Sequence, residues 1–154
     1  MILMVRLKVK RIYDRYEISD GRRILIDRLW PRGVRRSTPN VDLWLKEVAP
    51  SNELRKWYAH DSRKWKGFRK RYLNELANDP AIHKALEKLI LIVQTYGEIT
   101  LLYASKEREY NNAMVLKEVI DHTFGLDKIA EENRKAREKR KAKKAAENSA
   151  SQNQ

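Results

Sequence analysis

The sequence predicts an α/β fold in which a small, mostly parallel sheet is flanked by helices and followed by a basic C-terminal tail. Two observations predict it. Short apolar runs alternate with helical patterns over residues 1–126, an order typical of a parallel sheet with helices packed on it. From residue 127 onward lysine and arginine dominate, and large apolar residues become rare. We therefore expect one α/β domain over residues 1–126 and a helical or disordered tail over residues 127–154.

Three segments have the patterns of strands. Val5, Leu7 and Val9 alternate with basic residues, which predicts a half-buried strand. The continuous apolar run from Ile24 to Ile26 predicts a strand covered on both faces, and a third strand is predicted over 98–103. About ten residues separate the first two strands, which is short for a helical crossover. We expect that pair to be antiparallel or joined by an irregular loop.

Capping residues and helical periodicity predict the helices. Ser51 and Asp61 are suited to cap two of them, and Asp79, followed by a proline, is typical of a third helix start. Helices are expected over 41–47, over 51–59, from Asp61 through Trp65, Phe68, Tyr72 and Leu76, over 80–95 and over 111–123, with disorder over 149–154.

The net charge of +13 is divided between the two parts of the chain. Nine basic and five acidic residues after residue 126 give the tail a net charge of +4, which leaves +9 on the body. Such a field attracts nucleotides, nucleic acids or acidic lipid headgroups. The alternative is a lysine- and arginine-rich surface that serves only to keep the protein soluble.

Several classes of function are excluded or disfavoured by composition. The chain has no cysteine, which excludes disulfides, thiolate zinc sites and a cysteine nucleophile. Its three histidines lack metal-binding spacing, and neither standard glycine-rich phosphate loop occurs, so we expect no metal and no cofactor. The longest apolar stretches are too short for a signal-peptide core or a membrane span. We expect a cytoplasmic protein with no membrane association.

Unusual polar chemistry follows two of the predicted strands, at the edge where ligands bind in open α/β sheets. After the second strand come Asp27, Arg28, Trp30 and Arg32, which suit an anion-binding fork, a pocket wall and a group that handles protons. The structural alternative is an ion pair between Asp27 and an arginine that only holds the loop. The expected second half of the site consists of Tyr103 as a wall, with Ser105, Asn111 and Asn112 as polar contacts.

Each remaining candidate has a structural alternative. Asn111 or Asn112 can cap the following helix, whose free N–H groups suit an anion. His60 is a candidate for proton transfer, or simply a residue at a helix end, since no serine or cysteine partner is visible in the sequence. Phe68 and Tyr72 recur with Trp65 at helical spacing, which favours a core face over a base-stacking surface.

Five segments together resemble the YeaO-like branch of a family known as domain of unknown function 488. They are DRLWPRG (27–33), WLKEVAPS (44–51), ELRKWYAHD (53–61), FRKRYLNEL (68–76) and TLLYASKEREYNNA (100–113). The resemblance covers about residues 11–124 and implies a compact intracellular α/β domain of bacteria and archaea, without an established reaction. The broader family often has a Cys-His-Arg-type sequence where this chain has Tyr110-Asn111-Asn112, so the resemblance does not extend to thiol chemistry.

The leading hypothesis is a cleft that binds a nucleotide or another phosphorylated small molecule. Arg28, Arg32 and the helix start at Asn111 would hold the anion, and Asp27 or His60 would handle protons in any transfer or hydrolysis reaction. The first alternative is weak, nonspecific binding of nucleic acid through the eight basic residues of Asn133 to Lys144. The second is a non-catalytic scaffold.

Overall fold

A computed structural model describes residues 4–152, which contain four strands and five α-helices. The chain forms two compact units, with the boundary after Ile120. The strands are β1 (Arg6–Arg11), β2 (Arg22–Leu25), β3 (Leu43–Trp44) and β4 (Glu98–Tyr103). The helices are α1 (Asn52–Tyr58), α2 (Trp65–Asn78), α3 (Pro80–Tyr96), α4 (Asn112–Thr123) and α5 (Leu126–Gln152). This confirms the predicted α/β class.

All four strands are parallel and lie in the order β1-β4-β2-β3. β4 lies between β1 and β2. Its residues Ile99 to Tyr103 are buried, because neighbouring strands cover β4 on both sides and other parts of the chain cover both of its faces. Of the two alternatives expected for the first two strands, the irregular loop is the one found. β1 and β2 are not an antiparallel pair, since each pairs in parallel with β4, and the connection between them is an irregular loop.

The loop between β1 and β2 contains a 3-10 turn, Ile18–Asp20, and then Gly21. Gly21 has φ of +64°, and a Cβ there would lie 2.3 Å from the carbonyl oxygen of Glu98. The loop therefore passes so close to the start of β4 that only glycine fits. This close approach lets a short connection join two strands that run in the same direction.

The predicted helix over 41–47 is absent from this segment, which forms β3 and a 3-10 turn, Lys46–Val48. Trp44 explains the difference. It pairs with Leu25 in the sheet, and its indole N–H donates to the carbonyl oxygen of Asp27 at 2.7 Å. These nonlocal contacts outweigh the weak helical pattern of so short a segment.

Two helices begin where their capping residues predicted. Ser51 Oγ accepts the N–H of Leu54 at 3.1 Å, and Asp79 accepts the N–H groups of two residues in the first turn of α3. Asp61 caps a 3-10 turn, Ser62–Lys64, that leads into α2. Phe68 and Tyr72 are almost fully buried, which confirms the core assignment for these two residues, whereas Trp65 is half-buried.

The unit after Ile120 consists mainly of α5, in which no residue is buried. The helix continues to Gln152, so the predicted disorder over 149–152 is wrong, and residues 153–154 lie outside the described range. Alanine-rich composition and ion pairs of Arg134 with Glu131 and Glu138 favour the helix without tertiary packing. No helix within residues 4–152 is long and apolar enough to cross a bilayer.

Candidate anion-binding cleft

A cleft of about 980 Å³ lies where the loops after β1, β2 and β4 meet α1 and the start of α4. Three strands contribute their carboxyl ends because the sheet is parallel, which brings those ends to one edge. The volume is near the upper end of the range for small-molecule sites. Eight of the nine predicted site residues line it: Asp27, Arg28, Trp30, Arg32, His60, Ser105, Asn111 and Asn112.

Tyr103 is the predicted site residue that does not line the cleft. It is the last residue of β4, and only 2% of its surface is exposed. Because side chains alternate between the two faces of a strand, a residue at a strand end can be close to a cleft in sequence and still be buried in the sheet. The walls come from other residues, with Phe68 and the half-buried Trp30 among them.

Asp27 is held by neutral groups and not by an arginine. Its two carboxylate oxygens accept the backbone N–H of Ala104 at 2.9 Å and the side-chain amide of Asn112 at 3.0 Å. Within residues 4–152 no basic side chain forms an ion pair with it, so the alternative of an Asp27–Arg pair is wrong. Burial raises the pKa of Asp27, while the two hydrogen bonds and the nearby His60 partly oppose that rise.

The two consecutive asparagines have different roles. Asn111 is buried and caps α4, since its Oδ1 accepts the N–H of Met114 at 3.1 Å and its amide donates to the carbonyl oxygen of Glu107. Asn112 donates to Asp27. One residue therefore caps the helix and the other orients the carboxyl group of Asp27. The helix start offers fewer free donors to an anion than the sequence suggested.

Arg28 lies in the cleft with its guanidinium tied to the opposite loop. Its Nε donates to the carbonyl oxygen of Pro50 at 3.1 Å, and one terminal nitrogen donates to the carbonyl oxygen of Ala49 at 2.9 Å. These bonds orient the guanidinium and leave its charge without a carboxylate partner. Arg32 is exposed at the rim, where its carbonyl oxygen accepts the hydroxyl of Tyr13 at 2.7 Å.

His60 enters the cleft through unusual backbone geometry. Ala59 and His60 both have positive φ, 48° and 58°, directly after α1 ends. A left-handed residue is common where a helix ends, but two consecutive non-glycine residues in this region are uncommon. The fold supplies the partner that the sequence did not reveal, because the Nδ1 of His60 lies 3.4 Å from the Oγ of Ser105.

Sequence reasoning missed three cationic residues of the cleft. Arg11 ends β1, Arg55 lies on α1 and Lys106 follows β4. Had β1 been predicted parallel to the other strands, Arg11 at its carboxyl end would have been expected in the cleft. No signal in the sequence distinguishes Arg55 from any exposed helix residue. The Nε of Arg55 is buried and has no hydrogen-bond partner, and one terminal nitrogen makes only a 3.5 Å contact with Asn52.

The electrostatic balance of the cleft is strongly positive. Five lysine and arginine side chains line it against two carboxylates, Asp27 and Glu107. Within residues 4–152 none of the five forms an ion pair, although other basic side chains of the domain do. The five are Arg11, Arg28, Arg32, Arg55 and Lys106. No cluster of three potential metal ligands occurs within the same residues.

The geometry defines a class of protein: a small parallel α/β domain with a cationic cleft at the carboxyl edge of its sheet. Within that class, the chain belongs to the DUF488 family. Residues 6–140 match the family model described as the inactive DUF488-N3 subclade. The family resemblance is therefore confirmed, and the match extends beyond residue 124 into α5.

Several relatives cover most of the chain. The chain is 41% identical over 112 residues to the uncharacterised protein YeaO of Escherichia coli, a match that covers 73% of this chain and 94% of the relative. It is 36% identical over 121 residues to the uncharacterised proteins Mb3100c of Mycobacterium bovis and Rv3073c of Mycobacterium tuberculosis, covering 79% of this chain and 98% of each relative. No solved structure gives a significant match.

Proposed function

We propose that the cleft binds a small anionic ligand, a nucleotide or another phosphorylated molecule, without transforming it. The observation that carries the proposal is the set of five cationic side chains in one cleft with no ion-pair partner within residues 4–152. Cations held close together without compensating charge repel one another, and an anion relieves that repulsion. Guanidinium groups also match phosphate oxygens in geometry.

Arg55 is the proposed principal contact of the anion. A buried guanidinium nitrogen without a partner carries a desolvation cost that a hydrogen bond to a ligand would remove. Arg28 has the supporting role, since its bonds to Ala49 and Pro50 already determine where its charge lies. The phosphate would therefore meet one cation of fixed orientation, Arg28, and one guanidinium with an unpaired donor, Arg55.

Two facts favour binding over turnover. The matched subclade is described as inactive. In addition, both carboxylate oxygens of Asp27 already accept hydrogen bonds, from Ala104 and Asn112. Asp27 is therefore better placed to hold these two residues of the cleft in position than to exchange protons with a ligand.

The test is calorimetric titration with ribose 5-phosphate, using ribose as the uncharged comparison. We expect ribose 5-phosphate to bind and ribose to bind far more weakly. Arg55→Met, which keeps an unbranched apolar stem but removes the guanidinium and its charge, is expected to weaken binding about tenfold, the effect of losing a hydrogen bond to a charged group of about 1.5 kcal/mol. Arg137→Met, in α5 and outside the cleft, makes the same change in net charge and is the control.

The proposal fails if ribose 5-phosphate does not bind, or if Arg55→Met and Arg137→Met weaken it equally. Equal effects would mean that the ligand responds to net charge and not to the cleft.

A second candidate function, nucleic-acid binding, is favoured by α5. Residues 127–152 of the helix are exposed, and the helix carries eight basic residues and one glutamate between Asn133 and Lys144. Such a surface suits contacts with phosphates that do not depend on sequence.

A further inference from the structure

We infer that the ligand is a nucleoside phosphate whose base stacks on Tyr13. This inference rests on the proposed anion site and adds the chemistry of the uncharged end of the ligand. Tyr13 follows β1, at the edge of the sheet where β2 and β4 also end. Tyr13 lines the cleft, and 48% of its surface is exposed.

Tyr13 is exposed and yet held in place by two independent contacts. Its hydroxyl donates to the carbonyl oxygen of Arg32 at 2.7 Å, and the guanidinium of Arg11 lies 4.8 Å from the centre of its ring. Arg11 is itself anchored, because its guanidinium donates to the carbonyl oxygen of Ala104 at 3.1 and 3.3 Å. A large exposed ring normally samples several rotamers, so this arrangement reduces the entropy that ordering the ring would cost on binding.

An ordered aromatic ring at a cleft wall binds flat, aromatic groups best. Every nucleobase has such a face, and stacking of a base on an aromatic side chain contributes substantially to binding regardless of base identity. The same cleft holds the unpaired cations that suit a phosphate, and the polar pair Ser105 and His60, which suits the hydroxyl groups of a sugar. Base, sugar and phosphate are the three parts of a nucleotide.

The cleft has room for all three parts. Its volume of about 980 Å³ exceeds what a phosphate or a sugar phosphate alone would fill. A phosphorylated sugar would leave the Tyr13 ring without an aromatic group to stack on it. An aromatic ligand without a phosphate would leave the cations uncompensated.

The experiment compares the 5′-monophosphates of adenosine, guanosine, cytidine and uridine with ribose 5-phosphate by calorimetric titration of the full chain. At least one nucleotide is expected to bind about tenfold more tightly than ribose 5-phosphate. Tyr13→Leu, which removes the ring, is expected to bring that nucleotide to the affinity that ribose 5-phosphate has for the same variant. Tyr13→Phe keeps the ring and loses only the hydroxyl, and it is expected to retain most of the preference.

Two results would overturn the inference: all four nucleotides binding no better than ribose 5-phosphate, or Tyr13→Leu preserving the preference. In either case binding of ribose 5-phosphate would still support the anion site. Failure of the proposed function has a different signature, the absence of ribose 5-phosphate binding or of an Arg55 effect. The melting temperatures of Tyr13→Leu and Tyr13→Phe show whether these variants fold. Both are expected to match the wild type, because the ring is half exposed.

Discussion

Asp20 and Asp27 flank β2, and their surroundings move their pKa values in opposite directions. Burial alone would raise the pKa of Asp20, but hydrogen bonds from Lys8, Lys10, Arg23 and the backbone of Glu17 outweigh it and hold that pKa well below its usual range. Asp27 has only neutral donors, so burial dominates and its pKa is raised. Asp20 forms ion pairs with three basic side chains of the domain, whereas Asp27 lines the cleft.

Replacing Asp20 by asparagine is expected to lower the free energy of unfolding at pH 7 by about 3 kcal/mol. The reason is that Arg23, which is 1% exposed, would lose its carboxylate partner and remain as a buried, uncompensated charge. Urea denaturation measures the change. Glu118→Gln, which breaks the exposed pair with Arg69, is the matched control and is expected to have little effect.

The same residue predicts a dependence on pH. Because the folded pKa of Asp20 is lowered, its contribution is fully present above the ordinary aspartate pKa of about 4 and is lost as the pH falls toward the folded value. The stability difference between the wild type and Asp20→Asn is therefore expected to narrow below about pH 4. A constant difference down to acid unfolding would contradict the assignment.

At the scale of elements, α2 holds the loop that orients Arg28. Tyr72 donates to the carbonyl oxygen of Val48 at 2.5 Å, and Glu75 accepts both the backbone N–H and the hydroxyl of Ser51, at 2.9 and 2.5 Å. The carbonyl groups that bind Arg28 belong to the two residues between these anchors. A helix on the flank of the sheet thus determines the direction of a charge in the cleft.

Glu75→Ala is expected to destabilise the domain by about 1–3 kcal/mol, because it leaves the N–H of Ser51 unsatisfied and weakens the cap of α1. It is also expected to weaken ribose 5-phosphate binding, although Glu75 does not line the cleft. Denaturation and calorimetry measure the two effects. Asn74→Ala, at an exposed position of the same helix, should change neither. If the orientation of Arg28 did not depend on the loop that contains Ala49 and Pro50, Glu75→Ala would leave the affinity for ribose 5-phosphate unchanged.

At the scale of the whole molecule, part of the net charge of +13 lies in a concave site and part along an extended helix. The cleft concentrates five cations around a small volume, whereas α5 spreads its cations along an exposed surface. The two arrangements respond differently to salt. A small ligand engages few charges, but a polyanion releases many counterions when it binds.

Duplex DNA or RNA is therefore expected to bind weakly at low salt and to be released steeply between about 50 and 200 mM salt. Replacing the five basic residues between Lys139 and Lys144 by glutamine is expected to abolish most of this binding, and Arg55→Met should preserve most of it. Fluorescence anisotropy with a labelled duplex measures both. The reverse pattern, in which Arg55→Met removes binding and the α5 substitutions do not, would place the nucleic acid in the cleft.

Local patterns predicted much of the fold. Caps at Ser51 and Asp79, and the apolar run ending at Ile26, depend on neighbours in sequence and were found where expected. The helix predicted over 41–47 was not found, because Trp44 is held by contacts to β2 and to the loop that follows β2. Short segments have little intrinsic preference, so tertiary contacts decide their structure.

By itself, the sequence determined the α/β class of the domain and showed unusual polar residues after β2 and β4, and it left the basic segment after the domain as helical or disordered. Only the tertiary structure decided that β1 ends at the same edge, which adds Arg11 and Tyr13 to the cleft. It also decided that Asp27 bonds to Asn112 and not to an arginine, and that Arg55 has a buried nitrogen without a partner. The physical reason is that strands, caps and helix faces depend on residues a few positions apart. Strand order and the partner of a buried charge depend on groups many residues away, which only the packed chain brings together.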